Sequence, residues 1–318
     1  MKTKFAIGCL IQWYEVDIIG EYLETLKEAI SQYDGEVIAT FTVDASGNLE
    51  KPVSMEAMDN ALSKIKNLVI KYGWADKVHL HWEHKNLVTI ADYRREFNDK
   101  FCDHVDVLVW GESDMLVPKQ MFEVLDILHQ NQSTQTPKYL ATFGICKMWD
   151  DTWKPLEHIE FTNKPMDNKA WWGSRYTMNK DEMNEFNDKV TDLDVTTISP
   201  HKFNGCGLVI SSEVVKAGVN IPKSTFFTHE DTAFMLMTQK VLGFIPQYHF
   251  RNILLVHNRE HPNKRNYVSD ENGKTLGERR KSNNWYEVSA KMSEQNTYNL
   301  FNPNWKSKTW KDVWSQIK

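Results

Sequence analysis

The chain has 318 residues, of which 41% are hydrophobic and 25% are charged, and its formal net charge at pH 7 is −5. This is the composition of a folded globular protein, and it excludes a disordered, collagen-like or low-complexity chain. The length predicts one large domain or two small ones, and no apolar run reaches the roughly 18–20 residues of a membrane-spanning helix, so no membrane partner is expected.

The N-terminal residues and the cysteines indicate the compartment. Residues 1–17 combine two lysines with a short apolar run but lack a small-residue cleavage site, so we interpret the run as a first strand and not as a signal peptide. Cys9, Cys102, Cys146 and Cys206 are scattered without a CxxC pair, which argues against a structural zinc site and a disulfide scaffold. A reducing, cytoplasmic location is therefore predicted.

Strand and helix patterns alternate four times over the first half of the chain. The predicted strands are residues 5–11, 36–43, 78–82, 105–110 and 139–143. Apolar residues at helical spacing follow the first four strands, at residues 18–30, 58–72, 90–101 and 121–128. This alternation predicts a mostly parallel, doubly wound α/β sheet.

The alternation is interrupted at residues 163–199, a polar stretch that contains Trp171 and Trp172. We interpret this stretch as an insertion or lid and not as a domain boundary. Beyond it the pattern returns, with predicted strands at 207–210 and 253–256 and predicted helices at 213–217 and 231–242.

Residues 258–318 form a basic, aromatic extension of the body at residues 1–257. The extension has 12 Lys and Arg against 7 Asp and Glu, whereas the body has 26 against 36. Basic residues interleaved with aromatic residues suit an anionic partner, either the phosphates of a small ligand or a nucleic acid. The alternative is an extension that packs its aromatic side chains onto the body.

Acidic residues follow the most apolar predicted strand. Glu112, Ser113 and Asp114 come directly after the strand at 105–110. Ligands of open α/β sheets bind beyond the carboxyl ends of the strands, and carboxylate oxygens bind Mg²⁺ or Mn²⁺ together with phosphates. The alternative is an ordinary acidic loop, because two acids separated by one residue are common in loops.

Two further candidates lie later in the chain. Glu230 and Asp231 begin a predicted helix, where a carboxylate acts either as a general base or as a helix cap. His257 directly follows the last predicted strand, where it is either a metal ligand or a hydrogen-bonded structural histidine.

The order of these motifs resembles the GT-A glycosyltransferases, in particular their large inverting family that uses nucleotide-diphosphate sugars. The segment FTVDASGN resembles the donor-base strand, and HWEHKNLVTIADYRREFN resembles the segment near the nucleotide. Glu112-Ser113-Asp114 stands in place of the metal-binding Asp-x-Asp triplet and departs from it by beginning with Glu. FNGCGLVISSEVVKAG resembles the glycine-rich acceptor-side strand and helix, and THEDTAFMLMTQKVLGF resembles the Glu-Asp motif and its helix.

The resemblance implies a Rossmann-like GT-A fold over residues 1–257, with 163–199 as an acceptor-side insertion. It implies a cation, Mn²⁺ or Mg²⁺, held by Asp114 and His257, and a general base at Asp231 or, as the second choice, at Glu230. Residues of three further expected groups bind the donor, contact phosphate and stack on the acceptor. The donor group is Asp44, Asp92, Arg94 and Glu112, the phosphate group is Arg259, Lys264 and Arg265, and the acceptor group is Trp171 and Trp172.

The expected activity is metal-dependent, inverting sugar transfer from a nucleotide-diphosphate sugar, with a UDP-sugar favoured. The expected acceptor is either a glycan or a hydroxymethylated base in phage DNA, the second placing the enzyme in the host cytoplasm. A nucleotidyltransferase that releases pyrophosphate is the alternative enzyme, and a carbohydrate- or nucleic-acid-binding module without activity is the alternative outside catalysis.

Overall fold

The described part of the chain alternates strands with helices around one sheet. A computed structural model describes residues 1–16, 18–44, 55–73, 78–85, 88–132, 134–145, 179–197, 205–257 and 285–317. The strands are β1 (Phe5–Gln12), β2 (Val37–Asp44), β3 (Val78–Lys85), β4 (Val107–Trp110), β5 (Met115–Leu116), β6 (Leu140–Ile145), β7 (Val195–Thr197), β8 (Val209–Ser211) and β9 (Gln247–His257). The helices are α1 (Ile19–Gln32), α2 (Met55–Lys71), α3 (Ile90–Phe101), α4 (Met121–Gln132), α5 (Lys180–Asn187), α6 (Ser212–Lys216), α7 (Glu230–Leu242), α8 (Trp285–Tyr298) and α9 (Trp310–Gln316).

The sheet is mixed and mostly parallel, as the sequence predicts. Its order is β3-β2-β1-β4-β8-β6-β9-β5, and β7 pairs with β9. Strands β1 to β4 are parallel, and β6 and β9 are parallel to each other. Strand β8 runs antiparallel to both β4 and β6. The carboxyl ends of β4 and β9 therefore lie at one edge of the sheet together with the amino end of β8.

Apolar clusters pack against both faces of the sheet. One cluster joins the sheet to α1, α2 and α4, and includes Leu23, Ile65 and Phe122. The other joins it to α3, α6 and α7, and includes Phe97 and Phe234. Helices on both faces are the doubly wound arrangement that the alternating pattern predicts.

The residues around the predicted insertion and in the C-terminal extension also contact this core. Strand β7, within the range predicted as an insertion, pairs antiparallel with β9, whereas residues 163–178 lie outside the described residues. Helices α8 and α9 pack on the loop before α7, where Phe226, Met292 and Val313 form a small apolar cluster. None of the helices in the described ranges has the length and hydropathy needed to cross a bilayer.

Candidate active site

Two acidic side chains and a histidine meet at the edge of the sheet where β4 and β9 end. Glu112 and Asp114 follow β4, and His257 is the last residue of β9. Strand β5 pairs with β9 so that Met115 lies opposite His257, which places the neighbouring Asp114 close to the imidazole. His257 Nε2 lies 3.1 Å from Glu112 Oε2 and 3.5 Å from Asp114 Oδ2. Residues that the sequence predicts at the ends of two separate strands are thus in contact.

Burial and ion pairing act against each other in this group. Burial by itself lowers the pKa of His257, but the carboxylates of Asp114 and Glu112 raise it above its ordinary value. Burial by itself would raise the pKa of Glu112. His257 and Arg94 outweigh this effect and lower the pKa to about 2. Glu112 is therefore a carboxylate at neutral pH, which is the form that binds a cation.

Cys206 joins this group, although no sequence motif assigns it a role. Ligand atoms of Glu112, Cys206 and His257 all lie within 4.8 Å of one another. Cys206 is buried, with 1% of its surface exposed. The sequence signal that could have identified Cys206 is its position between Gly205 and Gly207, directly before a predicted strand.

Arg94 links the two acidic motifs through its guanidinium group. Thr89 caps helix α3, because its side chain accepts a hydrogen bond from the backbone N–H of Asp92, and the helix buries Arg94 against the sheet. Arg94 Nη2 donates to Glu112 Oε1 at 2.6 Å, and Arg94 Nη1 donates to Glu230. Its guanidinium carbon lies 4.7 Å from the centre of the Trp110 ring. Arg94 thus fixes one carboxylate from each motif.

Gly205 allows the chain to pass close to Arg94, and Gly207 adopts a backbone conformation that favours glycine. Arg94 Nη2 also donates to the carbonyl of Gly205 at 3.1 Å, and a Cβ added to Gly205 would lie 1.9 Å from Arg94 Nη1. Gly207 has φ +71, a conformation that residues with a side chain rarely adopt. The sequence Gly-Cys-Gly is therefore required by close contact and backbone conformation, and it holds Cys206 beside β4.

Glu230 and Asp231 form the first turn of α7, as the sequence predicts. The preceding residue, His229, has the left-handed conformation with φ 65, and it directs the chain into the helix. Burial raises the pKa of Glu230 to about 7 although Arg94 opposes the rise, and burial also raises the pKa of Asp231. A carboxyl group with a raised pKa is better matched to accepting a proton at neutral pH.

The acidic groups outnumber the basic groups in this site, which favours a bound cation. Four carboxyl groups lie close to one guanidinium and one imidazole; they belong to Glu112, Asp114, Glu230, Asp231, Arg94 and His257. Two ligands that bind one ion at about 2.0–2.3 Å are at most about 4.6 Å apart. The separations of His257 Nε2 from both carboxylates fit this limit, so His257 can share a divalent cation with either carboxylate.

The remaining predicted site residues lie at the same edge, on α3 or outside the described residues. Asp44 ends β2 beside Gln12, at the edge where β1 also ends. Asp92 is hydrogen-bonded to Thr89 and Arg95 in the first turn of α3. The predicted acceptor residues Trp171 and Trp172 and the predicted phosphate contacts Arg259, Lys264 and Arg265 lie outside the described residues.

No protein-family model matches the sequence, and no curated protein sequence matches it. Among solved structures, the chain is similar to S. aureus TarS 1-349 in complex with UDP, with 10% identity and a TM-score of 0.47 over 80% of this chain. The chain spans 60% of the length of that protein structure.

Two further similar structures contain a manganese ion. The mannosyltransferase PcManGT from Pyrobaculum calidifontis, in complex with GDP-Man and Mn²⁺, is 10% identical with a TM-score of 0.49, over 100% of this chain and 70% of that chain. Glucosyl-3-phosphoglycerate synthase from Mycobacterium tuberculosis, in complex with Mn²⁺, uridine-diphosphate-glucose and phosphoglyceric acid, is 10% identical with a TM-score of 0.46, over 92% of this chain and 79% of that chain.

Proposed function

We propose that this protein is a metal-dependent glycosyltransferase that moves a sugar from a nucleotide-diphosphate sugar to an acceptor hydroxyl with inversion. The contact of His257 with Glu112 and Asp114 carries the proposal. It joins a histidine and two carboxylates at the edge of an α/β sheet where ligands bind, in the motif order that resembles the GT-A enzymes.

The proposed cation would stabilise the leaving group of the reaction. Glu112, Asp114 and His257 would hold Mn²⁺ or Mg²⁺, and the cation would neutralise the charge that develops on the diphosphate as the sugar departs. Asp44, at the end of β2, lies at the same edge and is suited to the nucleoside part of the donor. Arg94 keeps Glu112 in place through its hydrogen bond to Oε1, which leaves Oε2 on the side of His257.

Asp231 is the proposed general base. Glu230 is engaged by Arg94, whereas Asp231, one residue later, accepts a hydrogen bond from the backbone N–H of Thr232. A single carboxylate that removes the acceptor proton while the acceptor oxygen attacks the sugar carbon accounts for one displacement and hence for inversion. The anomeric configuration of the product, measured by NMR, tests inversion directly.

The metal requirement is tested by following nucleoside diphosphate release from a panel of UDP- and GDP-sugars. Release should stop in EDTA and return with Mn²⁺, and Asp114→Ala should abolish it, because Asp114 is a proposed ligand. Asp188→Ala is the matched control, because Asp188 forms an exposed ion pair with Lys119 on the surface. Full activity in EDTA would contradict the proposal, and pyrophosphate release from nucleoside triphosphates would favour a nucleotidyltransferase.

The acceptor is tested with the same donors. Hydroxymethylated DNA and a panel of glycans offer the two hydroxyl classes that the sequence leaves open. Transfer to one class identifies the acceptor, and the unmodified DNA of the same sequence is the control for the first.

A further inference from the structure

We propose that Cys206 is a ligand of the divalent cation and gives the site a preference for cations that bind sulfur. This inference rests on the proposed function only in using the same cation site. Glu112, Cys206 and His257 offer a carboxylate oxygen, a sulfur and an imidazole nitrogen, all within 4.8 Å of one another. Ligand atoms of one ion are at most about 4.6 Å apart, so a movement of a few tenths of an ångström brings all three to bonding distance.

The backbone holds the sulfur near this position. The N–H of Gly207 donates to the carbonyl of Trp110 at 2.9 Å, and the N–H of Trp110 donates to the carbonyl of Leu208 at 2.9 Å. These two hydrogen bonds fasten the chain around Cys206 to the end of β4, directly beside Glu112. The carbonyl of Gly205 is fixed in turn by Arg94. Backbone hydrogen bonds on both sides of Cys206 therefore hold it next to the end of β4.

Burial and charge favour the sulfur as a ligand once the cation is present. Cys206 and His257 are each 1% exposed, so the cation would lose water on their side and require protein ligands there. As the sulfur–metal bond forms, the thiol loses its proton to solvent and becomes a thiolate. The positive charge of the cation stabilises the thiolate and offsets its repulsion from the neighbouring carboxylates.

A thiolate changes which cations the site selects. Carboxylate and water suit Mg²⁺ and Mn²⁺, whereas thiolate and imidazole favour Co²⁺ and Zn²⁺. A site with both kinds of ligand should bind Co²⁺ more tightly than Mg²⁺, and Cys206 should account for a large part of the difference.

Absorption spectroscopy with Co²⁺ tests this inference without measuring sugar transfer. The complete protein titrated with Co²⁺ should show a thiolate-to-metal charge-transfer band in the near ultraviolet. Cys206→Ser should lose the band and bind Co²⁺ about ten-fold or more weakly, with little change in Mg²⁺ affinity. Cys102→Ser is the control, because Cys102 is also buried but contacts the carbonyl of Asp99 at the end of α3.

Each outcome has a defined meaning. Co²⁺ bound without the band in the wild-type protein, or a band that persists in Cys206→Ser, overturns the role of Cys206 and leaves the proposed function intact. No bound Co²⁺, Mn²⁺ or Mg²⁺ in the wild-type protein overturns both. The wild-type spectrum alone decides for or against a thiolate ligand if Cys206→Ser fails to fold.

Discussion

Arg94 shows how a single buried residue can organise two distant motifs. It is 1% exposed, and its guanidinium contacts Glu112, Glu230 and the carbonyl of Gly205. A buried charge is costly unless it is paired and hydrogen-bonded, so these partners are needed for Arg94 to be buried at all. In return Arg94 fixes the position of both carboxylates. Its expected contact with the nucleotide stays a prediction.

Gly205→Ala tests how tightly the chain passes over Arg94. The new Cβ would lie 1.9 Å from Arg94 Nη1, so the guanidinium must leave its partners or the chain must shift. We expect a loss of about 1–3 kcal/mol in the free energy of unfolding, measured by urea denaturation, because a close-packed site resists added volume.

Gly20→Ala is the matched control for this substitution. Gly20 lies in α1, and a Cβ there would meet nothing within 4 Å. This variant should be no less stable than the wild-type protein, because alanine has the higher helix propensity. Equal stability of Gly205→Ala and the wild type would contradict the close contact.

Asp231→Asn tests the proposed base. Asparagine keeps the size and much of the hydrogen bonding of aspartate but cannot accept the acceptor proton, so turnover should fall by about 10²–10⁴-fold. Donor affinity and melting temperature should change little. If Asp231 only stabilises the start of the helix, turnover and stability should both be nearly unchanged, because asparagine caps helices about as well as aspartate. Glu230→Gln is the comparison, and a larger loss of turnover in that variant would transfer the role to Glu230.

At the scale of elements, α8 fixes the loop that leads to the proposed base. Its buried residues include polar side chains at positions 289, 293, 296 and 297. Ser293 Oγ donates to the carbonyl of Thr228 at 2.8 Å and accepts from the N–H of Phe227 at 3.3 Å. Asn296 Nδ2 donates to the carbonyl of Ser224 at 2.7 Å. The C-terminal extension thus helps to position the start of α7.

Ser293→Ala should therefore affect both stability and turnover. It leaves the partly buried carbonyl of Thr228 and N–H of Phe227 without their partner, which costs about 1 kcal/mol, and it loosens the loop before Asp231. Turnover should fall more than donor affinity, because the loop positions the base and not the donor. Ser289→Ala is the control on the same helix, because Ser289 is equally buried but bonds to carbonyls of α8 itself. Equal losses in both variants would show that α8 has a structural role alone.

The contact between Asp126 and the N-terminal residues should make the free energy of unfolding depend on pH. Asp126 in α4 accepts hydrogen bonds from the side chains of Lys2 and Thr3 and from the backbone N–H of Thr3. Burial by itself raises the pKa of Asp126, but the hydrogen bonds from Thr3, Lys2 and Gln130 outweigh burial and lower it to about 2. A carboxyl group with a lowered pKa stabilises the fold above its unfolded pKa, and this contribution is lost as the pH falls through its folded pKa.

Asp126→Asn should accordingly lower the free energy of unfolding by about 1–2 kcal/mol at pH 7, after allowance for solvent screening. The difference from the wild-type protein should shrink between pH 4 and pH 2 as the wild-type carboxyl group becomes protonated. Denaturation curves over this range measure it. A constant difference over the whole range would indicate that the effect comes from packing and not from charge.

The elements were predictable where apolar spacing is regular and less so where polar residues are satisfied by distant partners. The pattern at residues 90–101 predicts α3 with its observed bounds. The apolar run at 253–256 predicts only part of β9, which begins at Gln247. Asn252 directly precedes the apolar run, and its side chain is hydrogen-bonded to the backbone of Asp192 and Asp194, so this polar residue is accommodated within the strand. Such partners are 58–60 residues away and leave no local signal.

At the scale of the whole molecule, the direction of one strand determines what meets at the site. The sequence predicts a strand near residues 207–210 but not that it runs antiparallel. Because β8 is antiparallel to β4, the beginning of β8 and not its end lies at the edge of the sheet where β4 ends. This brings Cys206 to Glu112 and Gly205 to Arg94. The positions of Glu112, Asp114 and His257 were predictable because these residues follow strands, whereas the position of Cys206 depends on strand direction.

Nucleotide binding by the complete molecule gives the last prediction. A ligand at 100 times its Kd stabilises the folded protein by about 2.7 kcal/mol, which for a chain of this size raises the melting temperature by about 5 °C. UDP or GDP together with Mn²⁺ should produce such a rise, because the proposed cation joins the diphosphate to Asp114 and His257. Either component alone should produce a much smaller rise, and Asp114→Ala should remove the joint effect.

Because the joint effect measures binding, it separates a diphosphate-binding site from a triphosphate-binding site before any acceptor is known. A larger rise with nucleoside triphosphates than with any diphosphate would favour nucleotidyl transfer, and no rise with any nucleotide would contradict a nucleotide-sugar donor.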